Sequence, residues 1–430
     1  MIATPTTPPS AASPGPAAFG TAGARSPDLS VPLRYMLAGV AFMVLAYAGA
    51  LAFAPAFLGF YFTPKLLVVT HLAALGWFTM VAMGAIFQLS TVALEVAIHS
   101  QRLARLQFWL YLAGVVGLIV QMGWGSALNL AISAGLVVAA VSLFLYNMAR
   151  TLSAARNWPL TGWFMAAALV YLGLLVLAGF VLALNLVLGF LPVGQLAFIR
   201  AHAHLGLLGW LSMLIIGVSY KLTPMFVLSH PFDEWRLGKP IFVLLQVVVV
   251  GLFASLLLSL PRAVLAIFAL LGVVAAGLFA SDYVQMLRVR RRRPIDLTVK
   301  HNLTAVSAFV AAAGLGFAVP FVPPGSLHDR LILAYAYLGF GGWIGFSVVG
   351  QLYKVVPFLV WTQRYASRVG REQVPLLRQM YPVRLAEAGF GLLVAALLLT
   401  PAAIAVGWLP GIQIGLALGL AGAGTSAINL

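Results

Sequence analysis

Long runs of apolar residues, separated by short polar stretches, set the pattern of this chain. A transmembrane helix needs about 20 such residues, and twelve runs are of spanning length. They lie near residues 35–60, 66–94, 106–124, 127–149, 162–190, 196–228, 240–260, 263–286, 303–323, 330–361, 382–400 and 403–426. The pattern predicts an all-α polytopic membrane protein with twelve transmembrane helices.

The composition supports this prediction and excludes some chemistry. Of the 430 residues, 62% are hydrophobic and 8% are charged, whereas soluble domains carry roughly 25% charged residues. Residues 1–29, rich in Pro, Ala, Ser, Thr and Gly, are predicted to be a disordered tail, and residues 30–427 a single membrane domain. The chain contains no cysteine, so thiolate ligands and disulfides are excluded.

Basic residues predict the orientation of the spans. The net charge is +16, and most Lys and Arg fall in the even-numbered loops, as in the run Arg290–Arg293. The odd-numbered loops hold only four basic residues: Lys65, Arg200, Arg262 and Arg330. By the positive-inside rule, both termini are expected to be cytoplasmic. We therefore expect a multi-pass protein of the bacterial inner or plasma membrane, whose basic loops face membrane lipid and bind no nucleic acid.

Three segments align without gaps at equal offsets. HLAALGWFTMVAMGAIFQLSTVA begins at His71, HLGLLGWLSMLIIGVSYKLTPMF at His204 and YLGFGGWIGFSVVGQLYKVVPFL at Tyr337, so each lies 133 residues after the last (204 − 71 = 133 and 337 − 204 = 133). The positions shared by all three include Gly76, Gly209 and Gly342; Trp77, Trp210 and Trp343; and Gly84, Gly217 and Gly350. The repeat predicts three pseudo-threefold four-helix arcs, at about 30–160, 161–294 and 295–427. The glycines would permit close helix approach, and the tryptophans could be either interface anchors or packing residues.

The seven histidines fall into two groups. Four lie at predicted helix ends or in loops, where solvated side chains are expected: His99, His230, His301 and His328. The other three lie in one layer near the outer ends of the second and sixth spans: His71, His202 and His204. A single membrane histidine is commonly a neutral imidazole bonded to a carbonyl. Three in one layer favour metal or cofactor ligation, because neutral imidazole is the commonest protein metal ligand.

The one-residue spacing of His202 and His204 assigns them to different sides of their helix. At 100° per residue the two side chains point about 200° apart, so they cannot easily bind one metal on one side but can serve two different grooves of the bundle. One of them could face His71 across the gap between the second and sixth spans and complete an axial pair for a haem.

In these features the chain resembles subunit I of the haem–copper oxidase superfamily, which includes the nitric oxide reductases. The resemblance rests on His71 in the second span and on the repeat pattern, and it covers residues 30 to 427 in architecture. It implies twelve helices in three quasi-equivalent arcs, cytoplasmic termini, and haem ligands near the outer ends of the second and tenth spans. It also leads us to expect haem b, one or two per chain.

The chain departs from that family at the metal-binding positions. The family's His-x-His pair of the tenth span is replaced by Tyr335 and Tyr337, and a His-x-His pair stands in the sixth span instead. The tyrosine expected four residues after the sixth-span histidine is Gly206 or Leu208. The seventh span, KPIFVLLQVVVVGLFASLLLSL, contains no histidine. We therefore expect no copper at the oxidase-type site and no oxygen reduction or proton pumping.

Three functional hypotheses follow. The first is a haem protein that passes electrons or handles a diatomic gas such as nitric oxide or oxygen, with His71, His202 and His204 as iron ligands and Tyr335 or Tyr337 beside a second haem. If it is an enzyme, it would be an oxidoreductase, with electrons supplied by a redox partner or a quinol. The second is a transporter of copper or a small solute, because internal repeats are also common in transporters. The third is an accessory membrane subunit with structural histidines.

Overall fold

The protein is described by a computed structural model over residues 27–229, 232–292 and 294–430. Most of the predicted N-terminal tail and all of His230 lie outside these residues. Within them the chain is helical, and no strand is formed apart from isolated bridges between loop residues.

Twelve helices are long and apolar enough to cross a membrane, which confirms the predicted fold class. In chain order they are α1 Ser30–Ala52, α2 Pro64–Ala93, α3 Gln101–Trp124, α4 Ala127–Leu152, α5 Leu160–Leu188, α6 Gln195–Val227, α7 Trp235–Leu257, α8 Arg262–Arg288, α9 Leu297–Phe321, α10 Ser326–Arg368, α11 Val383–Val406 and α12 Leu409–Asn429. A helix pairs its own backbone N–H and C=O groups, which the apolar interior of a membrane cannot hydrogen-bond. The cytoplasmic placement of the termini stays a prediction.

Polar residues at the turns stop and start these helices. The hydroxyls of Thr63, Ser100 and Ser126 accept hydrogen bonds from backbone N–H groups in the first turns of α2, α3 and α4, and the Asp296 carboxylate does the same for α9. Each cap satisfies one N–H group that has no carbonyl partner at a helix start. These caps help to fix where α2, α3, α4 and α9 begin.

The three aligned segments share a local deviation from α geometry. A π-helical stretch of eight residues interrupts α2 at Leu72–Thr79, α6 at Leu205–Ser212 and α10 at Leu338–Gly345, again at offsets of 133 residues. The three stretches contact one another at the centre of the bundle. Short π segments inside α-helices occur often at functional sites, and here they directly follow His71 and His204.

Glycines at repeat-equivalent positions bring the first two helices of each unit together. A Cβ atom added to Gly76, Gly209 or Gly342 would lie 2.3, 2.8 or 2.6 Å from a side-chain atom of the preceding span. Such distances are shorter than carbon–carbon contact, so only glycine fits. The close-approach role predicted for these positions matches the geometry.

The tryptophans of the repeat are packing residues, not interface anchors, because each is at most 3% exposed. Trp210 Nε1 donates to Thr79 Oγ1 at 3.0 Å, and Trp343 Nε1 donates to Ser212 Oγ at 2.8 Å. The third ring, Trp77, lies against Gly345, which has no hydroxyl, and its buried Nε1 has no hydrogen-bond partner. Each repeat's tryptophan thus meets the same position of another repeat, in a closed cycle of three.

Of the three grooves between neighbouring units, two contain cavities and one is filled by side chains. Cavities occupy the grooves between the first and second units and between the second and third. Between the third and first, an apolar cluster packs Phe57 and Leu66 against Leu333, Ile404 and Leu416. Both cavities lie toward the end of the bundle formed by loops 53–63, 125–126, 189–194, 258–261, 322–325 and 407–408, called the histidine end below.

Candidate histidine site

All five residues predicted from the sequence line one cavity of about 870 Å³: His71, His202, His204, Tyr335 and Tyr337. We call it the histidine cavity. Its remaining wall is mainly apolar and is contributed by α1 to α6, with α10 and α12. Its volume falls in the range of about 300–1,000 Å³ that is usual for ligand and cofactor sites.

His71 is held in one tautomer by its own helix. Its Nδ1 atom lies 2.8 Å from the carbonyl oxygen of Leu67, one turn earlier. A carbonyl can only accept, so Nδ1 carries the proton and Nε2 keeps a lone pair. A metal-ligating histidine is usually oriented in this way, by a hydrogen bond from the ring nitrogen that does not bind the metal.

His202 lies on the side of α6 that faces α5. A Cβ atom added to Gly179 of α5 would stand 3.0 Å from His202 Cε1, so the glycine makes room for the ring. His202 Nδ1 is buried without a partner in hydrogen-bonding geometry, although the Leu175 carbonyl lies nearby. His202 and His71 line the same cavity from different helices.

His204 faces the other way, as its spacing predicts. Its Nδ1 atom lies 2.8 Å from the Arg200 carbonyl oxygen, which repeats the arrangement at His71, and its Nε2 atom lies 3.3 Å from the Tyr335 hydroxyl. The two rings are stacked, with centroids 6.1 Å apart. Since Nδ1 holds the proton, Tyr335 donates and Nε2 accepts. His204 and Tyr335 line both cavities and so form part of the wall between them.

Tyr337 takes the place that His71 and His204 hold in the other two repeats. Its ring lines the histidine cavity near the third groove, where its hydroxyl lies beside Tyr47 and Thr400. The structure therefore brings Tyr335, and not Tyr337, into contact with a histidine.

The mouth of the histidine cavity is polar. Tyr61, Gln121, Ser126 and Gln195 lie there with Arg200, which also lines the second cavity. Burial raises the pKa of the Tyr61 phenol, while the nearby positive charge of Arg200 acts in the opposite direction. From the sequence, Arg200 is identified only as a basic loop residue, and nothing distinguishes Gly179 from the other glycines of the spans.

One histidine prediction is wrong. His301 was expected to be solvated at a helix end, but it is fully buried in the second turn of α9. Its Nδ1 atom lies 2.9 Å from the Leu297 carbonyl oxygen, and its ring packs on Phe390 with centroids 4.7 Å apart. His99 is exposed as expected, whereas His328 is only partly so.

The described part of the chain holds no group of three or more His, Asp or Glu side chains that could bind a metal ion together. Comparison with known protein families finds no match, and comparison with curated proteins finds none either. The functional argument therefore stands on the geometry of the histidine cavity.

Proposed function

We propose that this protein is a b-type haem protein of a bacterial cell membrane, in which His71 and His202 would hold the haem iron. The observation that carries the proposal is the pair of imidazoles, contributed by α2 and α6, that share one large apolar cavity. The resemblance to the oxidase subunit stays part of the proposal, since the repeat and His71 are its only support.

The donor set suits haem better than a bare metal ion. Zinc or copper alone generally needs three or four protein ligands. A porphyrin supplies four nitrogens, so two imidazoles complete the coordination of its iron. Because the chain has no cysteine, the group would be held without thioether bonds.

Each histidine contributes a distinct property. His71 presents Nε2 from a ring whose opposite nitrogen is anchored to Leu67. His202 Nδ1 makes no hydrogen bond of good geometry, although the Leu175 carbonyl lies nearby. His204 already accepts a hydrogen bond from Tyr335, so it is the weaker candidate for the second axial position. Tyr335 and Tyr337 then shape the cavity wall and bind no iron.

A haem with two histidine ligands supplies a one-electron couple and leaves no coordination site for a gas. Electron transfer is therefore the function that this arrangement supports best. The electrons would come from a redox partner or a quinol in the membrane. Gas handling would require one of the two histidines to leave the iron.

The test is a reduced-minus-oxidised absorbance spectrum of the purified protein, expressed with ample haem. We expect a b-type spectrum in the parent and its loss in His71→Ala and in His202→Ala. His99→Ala, which removes an exposed histidine at a helix end, is the matched control and should keep the spectrum. Circular dichroism and gel filtration would establish that each variant still folds.

The outcomes separate the hypotheses. A colourless parent would refute the haem proposal and favour a transporter or an accessory subunit. Loss of haem in His204→Ala but not in His202→Ala would assign the second ligand to the other side of α6. A spectral change on adding carbon monoxide to the reduced parent would show an open position and move the function toward gas handling.

A further inference from the structure

A second cavity, of about 420 Å³, lies between the second and third units and is lined by α6 to α10. It is called the arginine cavity here, after Arg200 and Arg262 at the histidine end. His204 and Tyr335 separate it from the histidine cavity. Nothing in the haem proposal uses it.

The charge around this cavity has one sign. Arg200, Arg262 and His328 line its mouth, and no Asp or Glu is among its described lining residues. Across the parts of the chain that the structure describes, no salt bridge involves either arginine. Arg262 is exposed at the start of α8, whereas Arg200 is partly buried and its Nε atom has no partner. A partly buried guanidinium without a carboxylate partner indicates an anionic ligand, because an uncompensated charge near apolar surface is costly.

Three buried polar atoms at the same cavity have no partner inside the protein. They are Arg200 Nε, His328 Nδ1 and Ser255 Oγ. Ser255 is only 2% exposed and lies on the cavity wall. Buried donors normally find an acceptor, and oxygens of one bound anionic head could serve all three.

Below the mouth the cavity is apolar and elongated. Arg262, Leu265, Ala269 and Gly272 form one face of α8 along the cavity, which extends about 15 Å at 1.5 Å per residue. Ala312 and Ala313 of α9 and the buried ring of Trp343 form the deeper wall. Small side chains leave the space open, and a linear apolar chain fits its shape.

We propose that the arginine cavity binds an amphipathic anion, with its carboxylate or phosphate head between Arg200 and Arg262 and its acyl chain along α8. Ser255 and His328 donate to the head. A free fatty acid and an anionic phospholipid that inserts one chain share this chemistry. The neutral head of a quinone would leave both arginines without a counter-charge.

The test is native mass spectrometry of the delipidated full-length protein in detergent, titrated with oleate, phosphatidylglycerol and phosphatidylcholine. We expect oleate or phosphatidylglycerol to bind at least about tenfold more tightly than phosphatidylcholine, as for the loss of one charge-assisted hydrogen bond. Binding of oleate alone identifies a free fatty acid, and binding of phosphatidylglycerol alone identifies a phospholipid. Equal affinity for all three would overturn the proposal.

Variants on a single helix supply the controls. Arg262→Gln should weaken anion binding about tenfold, whereas Arg288→Gln, which removes another exposed arginine at the opposite end of α8, should not. Gly272→Leu places a side chain beside Val248 inside the cavity and should abolish binding, whereas a Cβ on Gly277 meets no atom within 4 Å, so Gly277→Leu should not. Unchanged binding in both Arg262→Gln and Gly272→Leu would overturn the proposal. A haem spectrum lost in Arg262→Gln would assign the cavity to a porphyrin instead.

Discussion

The cycle of tryptophans at the centre of the bundle gives the sharpest test of the repeat architecture. Trp343 donates to Ser212 across two units, and both side chains are at most 1% exposed. Trp77 occupies the equivalent place without a partner for its Nε1 atom. The chain thus contains a hydrogen-bonded pair and its own natural comparison.

We predict a measurable coupling energy between Trp343 and Ser212. Hydrogen bonds between membrane helices contribute on average about 0.6 and at most about 1.7 kcal/mol. This bond is 2.8 Å long and fully buried, so we expect about 1 kcal/mol, roughly a fivefold change in the unfolding equilibrium. Ser212 also donates to the Leu207 carbonyl, so the single variant Ser212→Ala loses more than this bond and cannot measure it alone.

The assay is therefore a double-mutant cycle of Ser212→Ala and Trp343→Phe, with the free energy of unfolding measured by reversible denaturation in mixed micelles. The cycle cancels the cavity left by the smaller ring. The control cycle pairs Ser212→Ala with Trp77→Phe, and its coupling should fall within the usual additivity error of about 0.3–0.5 kcal/mol. Equal coupling in the two cycles would refute the assignment of the hydrogen bond.

Three further predictions concern single positions. Gly179→Ala should push the His202 ring by a few tenths of an ångström and reduce haem content or shift the b-type spectrum, read by the same absorbance measurement. Tyr335→Phe removes the donor to His204 and should lower the free energy of unfolding by about 0.6 kcal/mol without loss of haem. Asp296→Ala removes the cap of α9 and should lower the free energy of unfolding by about 1 kcal/mol in denaturant titrations.

Each of these three variants has a matched control variant. Gly391→Ala adds a methyl group where no atom lies within 4 Å and should leave the spectrum unchanged. Tyr337→Phe should spare the environment of His204. Asp296→Asn keeps the cap but loses the ion pair with Lys354, whose Nζ lies 2.5 Å from the carboxylate, so it should cost less than Asp296→Ala. Haem loss in Tyr335→Phe, or equal effects of the two Asp296 variants, would contradict these arguments.

Much of the fold was predictable because the length and hydropathy of a segment identify a membrane helix in the sequence. The opposite directions of His202 and His204 followed from helical geometry alone. The tryptophan cycle also had a signal in the sequence, since Thr79, Ser212 and Gly345 stand at the same position of the aligned segments. Only the contacts, however, pair each tryptophan with that position of another unit.

The cavities and the burial of His301 were not predictable from one sequence. Cavity volume depends on how residues far apart in the chain pack, such as Gly179 beside His202 and Leu416 beside Leu333. His301 lies only four residues after the start of α9, and the helices around it, with Phe390 and Phe346, bury it. The hydropathy of residues near a helix end does not show which other helices pack around them.

The contact between His204 and Tyr335 has a dynamic consequence. Five residues line both chambers, and two of them, His204 and Tyr335, have side chains joined by one hydrogen bond. A change of rotamer at either residue would alter this contact without the microsecond-to-millisecond movements of whole helices. A change at His204 or Tyr335 in one chamber can therefore affect the other chamber while the twelve helices stay in place.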